Sequence, residues 1–281
     1  MANTFDSALV VDTAAEQAIT VLQARLAPLA AFTTDFSSDV VDPLQKVQVA
    51  VASSASGITT NPVSFDTGDV VLTKATVTMV HYSAGFGLTS SEINQGHRLE
   101  RLMKIKLGEL ANALIDAAMA PVTTTNFGAA VVSTSASFSD TGLKAIFSAL
   151  KNGTSRALVL DGALYSLLLP TALTSFVPSD KGAFGFDGGI YLNNRFTGAG
   201  ANIKGFGVSP EAIAVAAAMP RLEDPVKALL YSSSDIEVPG LGISVQFNLW
   251  GSTTSRAIRA SFDLCFGAAV ADTSALKLVA Y

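Results

Sequence analysis

Between residues 88 and 121 the apolar residues Leu99, Met103, Leu107, Leu110, Leu114 and Ala117 recur at steps of three and four. That spacing puts them on one face of a helix, with Arg98, Arg101, Glu109, Asn112 and Asp116 on the other. Thr89 and Glu92 stand at capping-box spacing, and Leu88 with Ile93 supplies the hydrophobic staple. Pro121 ends the helix, because proline cannot donate to the preceding turn. A helix over residues 90–120 is a rod of ~46 Å, against a diameter near ~48 Å for a compact chain of this length. Either the helix breaks near Gly96 or the subunit is elongated and flat, and the flanking patterns favour the flat form.

Ahead of this rod, Thr13 and Glu16 form a second possible capping box. Ala18, Ile19, Leu22, Leu26 and Leu29 then mark an amphipathic helix ending near Pro28, with residues 1–12 as an irregular arm. The helix must lay its stripe on the rest of its own subunit or on a neighbour. From Gln45 to Tyr82 the period changes to two. Val47, Val49 and Val51 alternate with polar or small residues, then Val71, Thr73, Ala75, Val77 and Met79 do the same across a long polar connection. The pattern predicts a long antiparallel hairpin. A two-stranded ribbon is marginal in water, so this one should rest on another surface.

After the rod, residues 122–139 read as an uncharged strand or linker. A helix capped by Asp140 or Thr141 reaches Leu150 and stops at Asn152-Gly153. Arg156 to Leu160 reads as a buried strand, followed by Asp161-Gly162 and a short apolar helix. Residues 181–207, crowded with glycine and aromatics, read as loops with short strands. Ser209-Pro210-Glu211 carries a helix start, predicting a helix to Met219. Two alternating runs follow. Ile243, Val245, Phe247 and Leu249 lead through a turn at Gly251 to Ser255 into Ile258, Ala260, Phe262, Leu264 and Phe266, with Arg256, Arg259, Ser261 and Asp263 on the opposite face. Gly267 is expected to break this strand before a last one at Leu276 to Ala280.

Only 15% of the 281 residues are charged, against ~25% in ordinary domains. Much of the surface is therefore Ser, Thr and Asn, or is covered by other chains. The net charge of −5 and the absence of a Lys/Arg cluster argue against nucleic-acid binding as the main task. The N-terminus lacks the basic start and apolar run of a secretory signal, and no stretch has the length of a membrane span. A soluble protein of a reducing compartment is expected.

Candidate chemistry is sparse. The one cysteine, Cys265, reads as a small buried hydrophobe. The two histidines, His81 and His97, share no metal-ligand spacing. Residues 198–207 carry glycines without the spacing of a dinucleotide or phosphate loop. Asp187 and Asp224 lack a partner carboxylate at helical spacing. No catalytic, metal or cofactor site is expected.

The order of parts (arm, long hairpin, long helix, mixed α/β segment, late pair of long strands) resembles that of tailed-phage major capsid proteins of the Hong Kong 97-type α+β fold. The resemblance covers nearly the whole chain through layout and local texture, in LTSSEINQGHRLERLMKIKLGELANALIDAAM, GFGVSPEAIAVAAAMPRLE, GLGISVQFNLW and RAIRASFDLCFGAAVADTSALKLVA. It implies an N-terminal arm and helix (1–44) and an extended β-hairpin loop lying over the adjacent subunit (45–87). A peripheral domain (88–139 and 238–266) then carries the long spine helix, and an axial domain (140–237 and 267–281) gathers at five-fold and six-fold axes. It further implies a virion protein that self-assembles through pentamers and hexamers into an icosahedral shell around double-stranded DNA, in the host bacterial cytoplasm. Scaffolding, portal or decoration proteins are implied partners, and the DNA is enclosed without specific binding. Inter-subunit contacts are implied at Gly57, Ile58, Asn61 and Pro62 of the loop tip, at Lys74, at Arg98, Glu100 and Arg101 of the spine, and at Trp250 and Thr253 near the three-fold contacts. Some members crosslink a loop lysine to a neighbour's asparagine; Lys74 is available, but nothing in the sequence identifies its partners.

The residues point the same way, because a long hairpin, an apolar arm and a subunit-length rod cannot all bury their surfaces within one chain. Three alternatives carry different expectations. An encapsulin-type compartment of the same fold needs a cargo-peptide site. An α/β enzyme using residues 181–207 as a substrate loop needs convergent titratable groups. A tail or decoration protein would be nearly all β.

Overall fold

The computed structural model describes residues 7–37, 46–55, 70–89, 99–132, 138, 140–150, 155–168, 185–195, 202–252 and 257–281. Helix α1 (Ser7–Leu26) opens the chain, followed by a 3-10 turn (Ala27–Ala31) and strand β1 (Thr33–Asp35). The helix starts ahead of Thr13, so the expected cap lies inside it. Val10 and Val11 pack on the core and Ala14 is fully buried, and this burial outweighs the local start signal. Pro28 falls in the first turn of the 3-10 segment, where its missing N–H leaves no bond unmade.

Strands β2 (Lys46–Ala55) and β3 (Val70–Thr78) form the expected antiparallel ribbon, with Val47 opposite Val77 and Val49 opposite Ala75. The alternation that runs on to Tyr82 does not stay in the ribbon. After Met79 the chain enters β4 (Val80–Thr89), which pairs along Ala257 to Phe266 in a different sheet. Helix α2 (Leu99–Met119) follows, ~32 Å long over its described residues. Its buried face is the predicted one, Met103, Leu107, Leu110 and Leu114. Gly96, His97, Arg98 and the residues of the capping box beyond Thr89 lie outside the described residues, as does the stop at Asn152-Gly153.

The middle of the chain supplies α3 (Thr124–Phe127), β5 (Val131–Val132), α4 (Asp140–Ala149), β6 (Ala157–Leu160), α5 (Gly162–Leu167), β7 (Gly189–Leu192) and β8 (Ile203–Val208). Strand β6 is wholly buried, as the run RALVL predicts, and the Asp161 side chain caps α5 by accepting the Leu164 N–H. Pro210–Ala212 makes only a single 3-10 turn, and Ile213–Ala218 is a strand, β9, where a helix to Met219 is expected. The segment IAVAAA has no polar face. It is buried on both sides and paired with β1 and with Cys265 to Val270, so tertiary burial overrides the helix propensity of alanine.

A short helix α6 (Asp224–Lys227) precedes β10 (Ser232–Val238), β11 (Ile243–Ser252), β12 (Ala257–Val270) and β13 (Leu276–Ala280). The fold is α+β. One sheet joins β1, β9, β12, β11 and β10 with β4 also on β12, a second runs β5-β13-β8-β6-β7, and β2-β3 stands as a separate ribbon. Gly267 does not break β12, which continues to Val270. A Cβ there would clash with the carbonyl oxygen of Thr78, so the glycine marks where the ribbon crosses the sheet. The main core draws Leu22 and Leu26 of α1, Met103 and Leu107 of α2 and Phe247 and Phe262 of the large sheet into one cluster with Phe206 of the second sheet. Phe32 meets Phe206 edge-on at 5.5 Å between ring centres. Helix α1 therefore buries its stripe within its own subunit.

Candidate assembly surfaces

The ribbon is seated at one end. Val47, Val49, Val77 and Met79 are buried against Ala214, Ala216 and Cys265, so small side chains on β9 and β12 let the backbones approach. Cys265 is here the packing residue its context predicts. The outward face of the same ribbon carries Lys46, Gln48, Lys74, Thr76 and Thr78, all exposed. Lys74 thus lies on a solvent-facing strand surface. Gly57, Ile58, Asn61 and Pro62 lie outside the described residues.

On α2, Glu100 and Arg101 are both exposed. Glu100 takes a 3.5 Å contact from Gln17 Nε2 of α1, within the subunit. Lys106 and Glu109 pair at 2.6 Å one turn apart, and Ile105 beside them is an apolar side chain 49% exposed. The outer face of the helix is therefore mixed, with charge around an uncovered isoleucine.

The third surface is concave. A cavity of about 690 Å³ opens between β4, β11, β12 and the segment 220–230. Half-buried Trp250 lines it with Leu222, Val226 and Leu229. At its floor Asp263 Oδ2 accepts from Asn248 Nδ2 at 3.0 Å and from Ser261 Oγ, while His81 Nε2 stands 3.5 Å from Oδ1. Ser233 Oγ in turn donates to Asn248 Oδ1 at 2.8 Å. The carboxylate stands between serine and histidine, so the imidazole does not face the hydroxyl and the trio lacks the serine–histidine–carboxylate order that activates a nucleophile. Thr253 lies outside the described residues.

None of the described residues of the glycine-rich region 181–207 lines this cavity. Asp187 instead receives the backbone N–H groups of Ser155 (3.2 Å) and Arg156 (2.7 Å), holding the chain as it enters β6. Asp224 pairs with Lys227 across a helical turn at 3.7 Å. Among the described residues no group of three or more His, Cys, Asp or Glu is placed to hold a metal, and no helix is long and apolar enough to cross a membrane. Sequence reasoning placed Ser261 and Asp263 on the polar side of their strand but missed their burial. The only signal was the alternation of Asn248, Ser261 and Asp263 with large apolar residues, which does not reveal what covers that side.

The sequence matches no family model and no curated protein. In three dimensions the chain is similar to the virus-like particle protein of Pyrococcus furiosus, at 13% identity and a TM-score of 0.58 over 94% of this chain and 98% of that one. It is similar to the capsid protein of cyanophage P-SCSP1u, at 12% identity and a TM-score of 0.54 over 88% and 86%. It is also similar to the mature capsid of bacteriophage PhiM1, at 10% identity and 0.54 over 90% and 86%. Identities this low speak for architecture alone, and on that ground the chain has the fold of phage capsid and virus-like particle subunits.

Proposed function

We propose that this chain is a shell subunit, the major capsid protein of a tailed phage, which assembles with copies of itself around double-stranded DNA. The observation that carries the reading is the extent of the likeness: it spans 94% of this chain and 98% of a particle-forming one, so it concerns a whole subunit rather than a shared module. The exposed outer face of the ribbon supports it, because a two-stranded ribbon seated on one face offers the other to a neighbour.

On this reading residues 45–87 form the loop that reaches the adjacent subunit, although Val80–Thr89 pairs with the large sheet and so belongs to its anchor. Residues 88–139 and 238–266 form the peripheral domain. Residues 140–237 and 267–281 form the axial domain of pentamers and hexamers. The loop tip, Lys74, Arg98, Glu100, Arg101, Trp250 and Thr253 meet other subunits. The role is structural, with no catalytic step. A net charge of −5 suits an inner wall that encloses DNA without gripping it. The protein then resides in the virion, assembled in the bacterial cytoplasm with or without scaffolding, portal and decoration proteins.

Negative-stain electron microscopy with light scattering on the chain expressed alone tests the proposal. Closed particles of uniform diameter are expected; a chain that stays monomeric across concentration and salt would overturn unaided self-assembly. A compartment shell of the encapsulin type is the second reading, favoured by the match to a virus-like particle. Particle contents separate the two, nucleic acid for a capsid and folded protein cargo for a compartment.

A further inference from the structure

The cavity beside Trp250 joins two features that shell geometry does not require. Its floor is a carboxylate taken out of water: Asp263 is 7% exposed, and its flanking donors Asn248 and Ser261 are 4% and 6% exposed. Both donors are neutral and both serve Oδ2. The other oxygen, Oδ1, faces the cavity-lining His81 at 3.5 Å, at the long limit of a hydrogen bond. A buried carboxylate held this way has room for a cationic partner, and a charge-assisted bond to it would be short and strong.

The walls extend this preference. Glu223 and Arg221 also line the space, so two carboxylates face it against one guanidinium and one imidazole. Trp250 presents the side chain best suited to a cation over its ring, and Leu222, Val226 and Leu229 offer apolar surface to methylene groups. Strand register sets the length. Trp250 is opposite Arg259 and Asp263 opposite Gln246, so Trp250 and Asp263 share one sheet face four residues apart, ~13 Å along the strands. A single lysine or arginine side chain is shorter than that span.

We propose that this cavity binds a linear aliphatic polyamine, one ammonium on Asp263, the methylene chain along Leu222 and Leu229, and a second ammonium between Trp250 and Glu223. The volume of about 690 Å³ lies within the range of small-ligand sites. The inference does not rest on the shell reading, since the cavity is complete within one chain.

Trp250 is the only tryptophan, beside five tyrosines, so fluorescence excited selectively at tryptophan reports on this cavity. Spermidine titrated into the full chain should give a saturable fluorescence change, with n-butylamine binding at least ~10-fold more weakly because it reaches one carboxylate only. Asp263→Asn should weaken spermidine at least ~10-fold, and Glu109→Gln on the distant face of α2 should leave it unchanged. Because a buried substitution can disturb folding, Leu229→Arg is the second variant. Leu229 is 75% exposed, so the core is spared, and a tethered cation at the mouth should compete with the ligand. Calorimetry on the same samples separates binding from fluorescence artefacts. No saturable change at millimolar spermidine would overturn the proposal. Equal binding by the parent, Asp263→Asn and Leu229→Arg, or equal affinity for n-butylamine, would do so too.

Discussion

Arg195 and Asp116 are joined at two points: Arg195 Nε donates to Asp116 Oδ1 at 2.7 Å, and Nη2 to Oδ2. The pair is 79 residues apart in sequence and fastens the last turn of α2 to the chain leaving β7. Asn193 Oδ1 accepts the Arg195 N–H at 2.9 Å and fixes the approach. Hydrogen bonding to Asp116 holds the guanidinium still further above its usual range, against a smaller opposing effect of burial. The arginine and aspartate side chains keep 41% and 30% of their surface in water, so the pair is worth ~1 kcal/mol rather than the value of a buried bridge.

Arg195→Ala should therefore lower the melting temperature by ~2 °C for a chain of this size. Arg195→Lys should recover only part of that, because an ammonium cannot span both carboxylate oxygens. Scanning calorimetry at neutral pH reads both. No change in either variant would show that the pair is not a fastening.

Tyr82, on β4 near the same carboxylate, has its phenol pKa raised above the ordinary 10.0, first by burial and second by the Asp116 charge. The sign follows from linkage. The folded state prefers the neutral phenol, so this stability is full below pH 10 and is lost as pH rises through the folded-state value. Melting temperatures from pH 9 to 11 should fall, and Tyr82→Phe should flatten the fall. An unchanged alkaline slope in Tyr82→Phe would remove this tyrosine from the effect.

Gly267→Ala places a methyl group against the Thr78 carbonyl and beside the Val77 side chain. Overpacking of this kind costs ~1–3 kcal/mol. The loss should concentrate at the ribbon: amides of Val47, Val49 and Val77 should exchange faster while those of β6 keep their protection. Uniform loss of protection would mean that the ribbon and sheet open together.

Replacing residues 57–62 by a short turn should leave a folded chain, because the ribbon's anchor at Val47, Val77 and Met79 is untouched. Closed particles should no longer form. Circular dichroism checks the first point and electron microscopy the second, and normal particles from this variant would remove the tip from assembly.

Much of the fold was legible wherever burial on one face imposes a period. The pairing of Val47 with Val77, the buried run Ala157–Leu160 and the inward set Val245, Phe247 and Leu249 on β11 are all written as alternation or as an unbroken apolar run. The misreadings share another cause. In Ile213–Ala218 both faces are apolar, so periodicity cannot separate helix from strand, and a local Ser-Pro-Glu start signal pointed the wrong way. Gly267 looked like a break because the neighbour that excludes its side chain, Thr78, is nearly two hundred positions away in the chain. The cavity floor was hidden similarly: Asp263 alternates like a solvent-facing residue, and only the return of segment 220–230 over β11 and β12 takes it out of water.

The clamp at Gly267 makes the ribbon a cantilever. The sheet supports it as far as Val49 and its partner Ala75, and beyond them β3 runs five more residues, 70–74, or ~17 Å. A tilt of about 10° at that support displaces the far end of the ladder by roughly 3 Å, about the length of one hydrogen bond. Small residues at the support, Ala214, Ala216 and Gly267, thus set how closely the arm lies on the sheet where it leaves it.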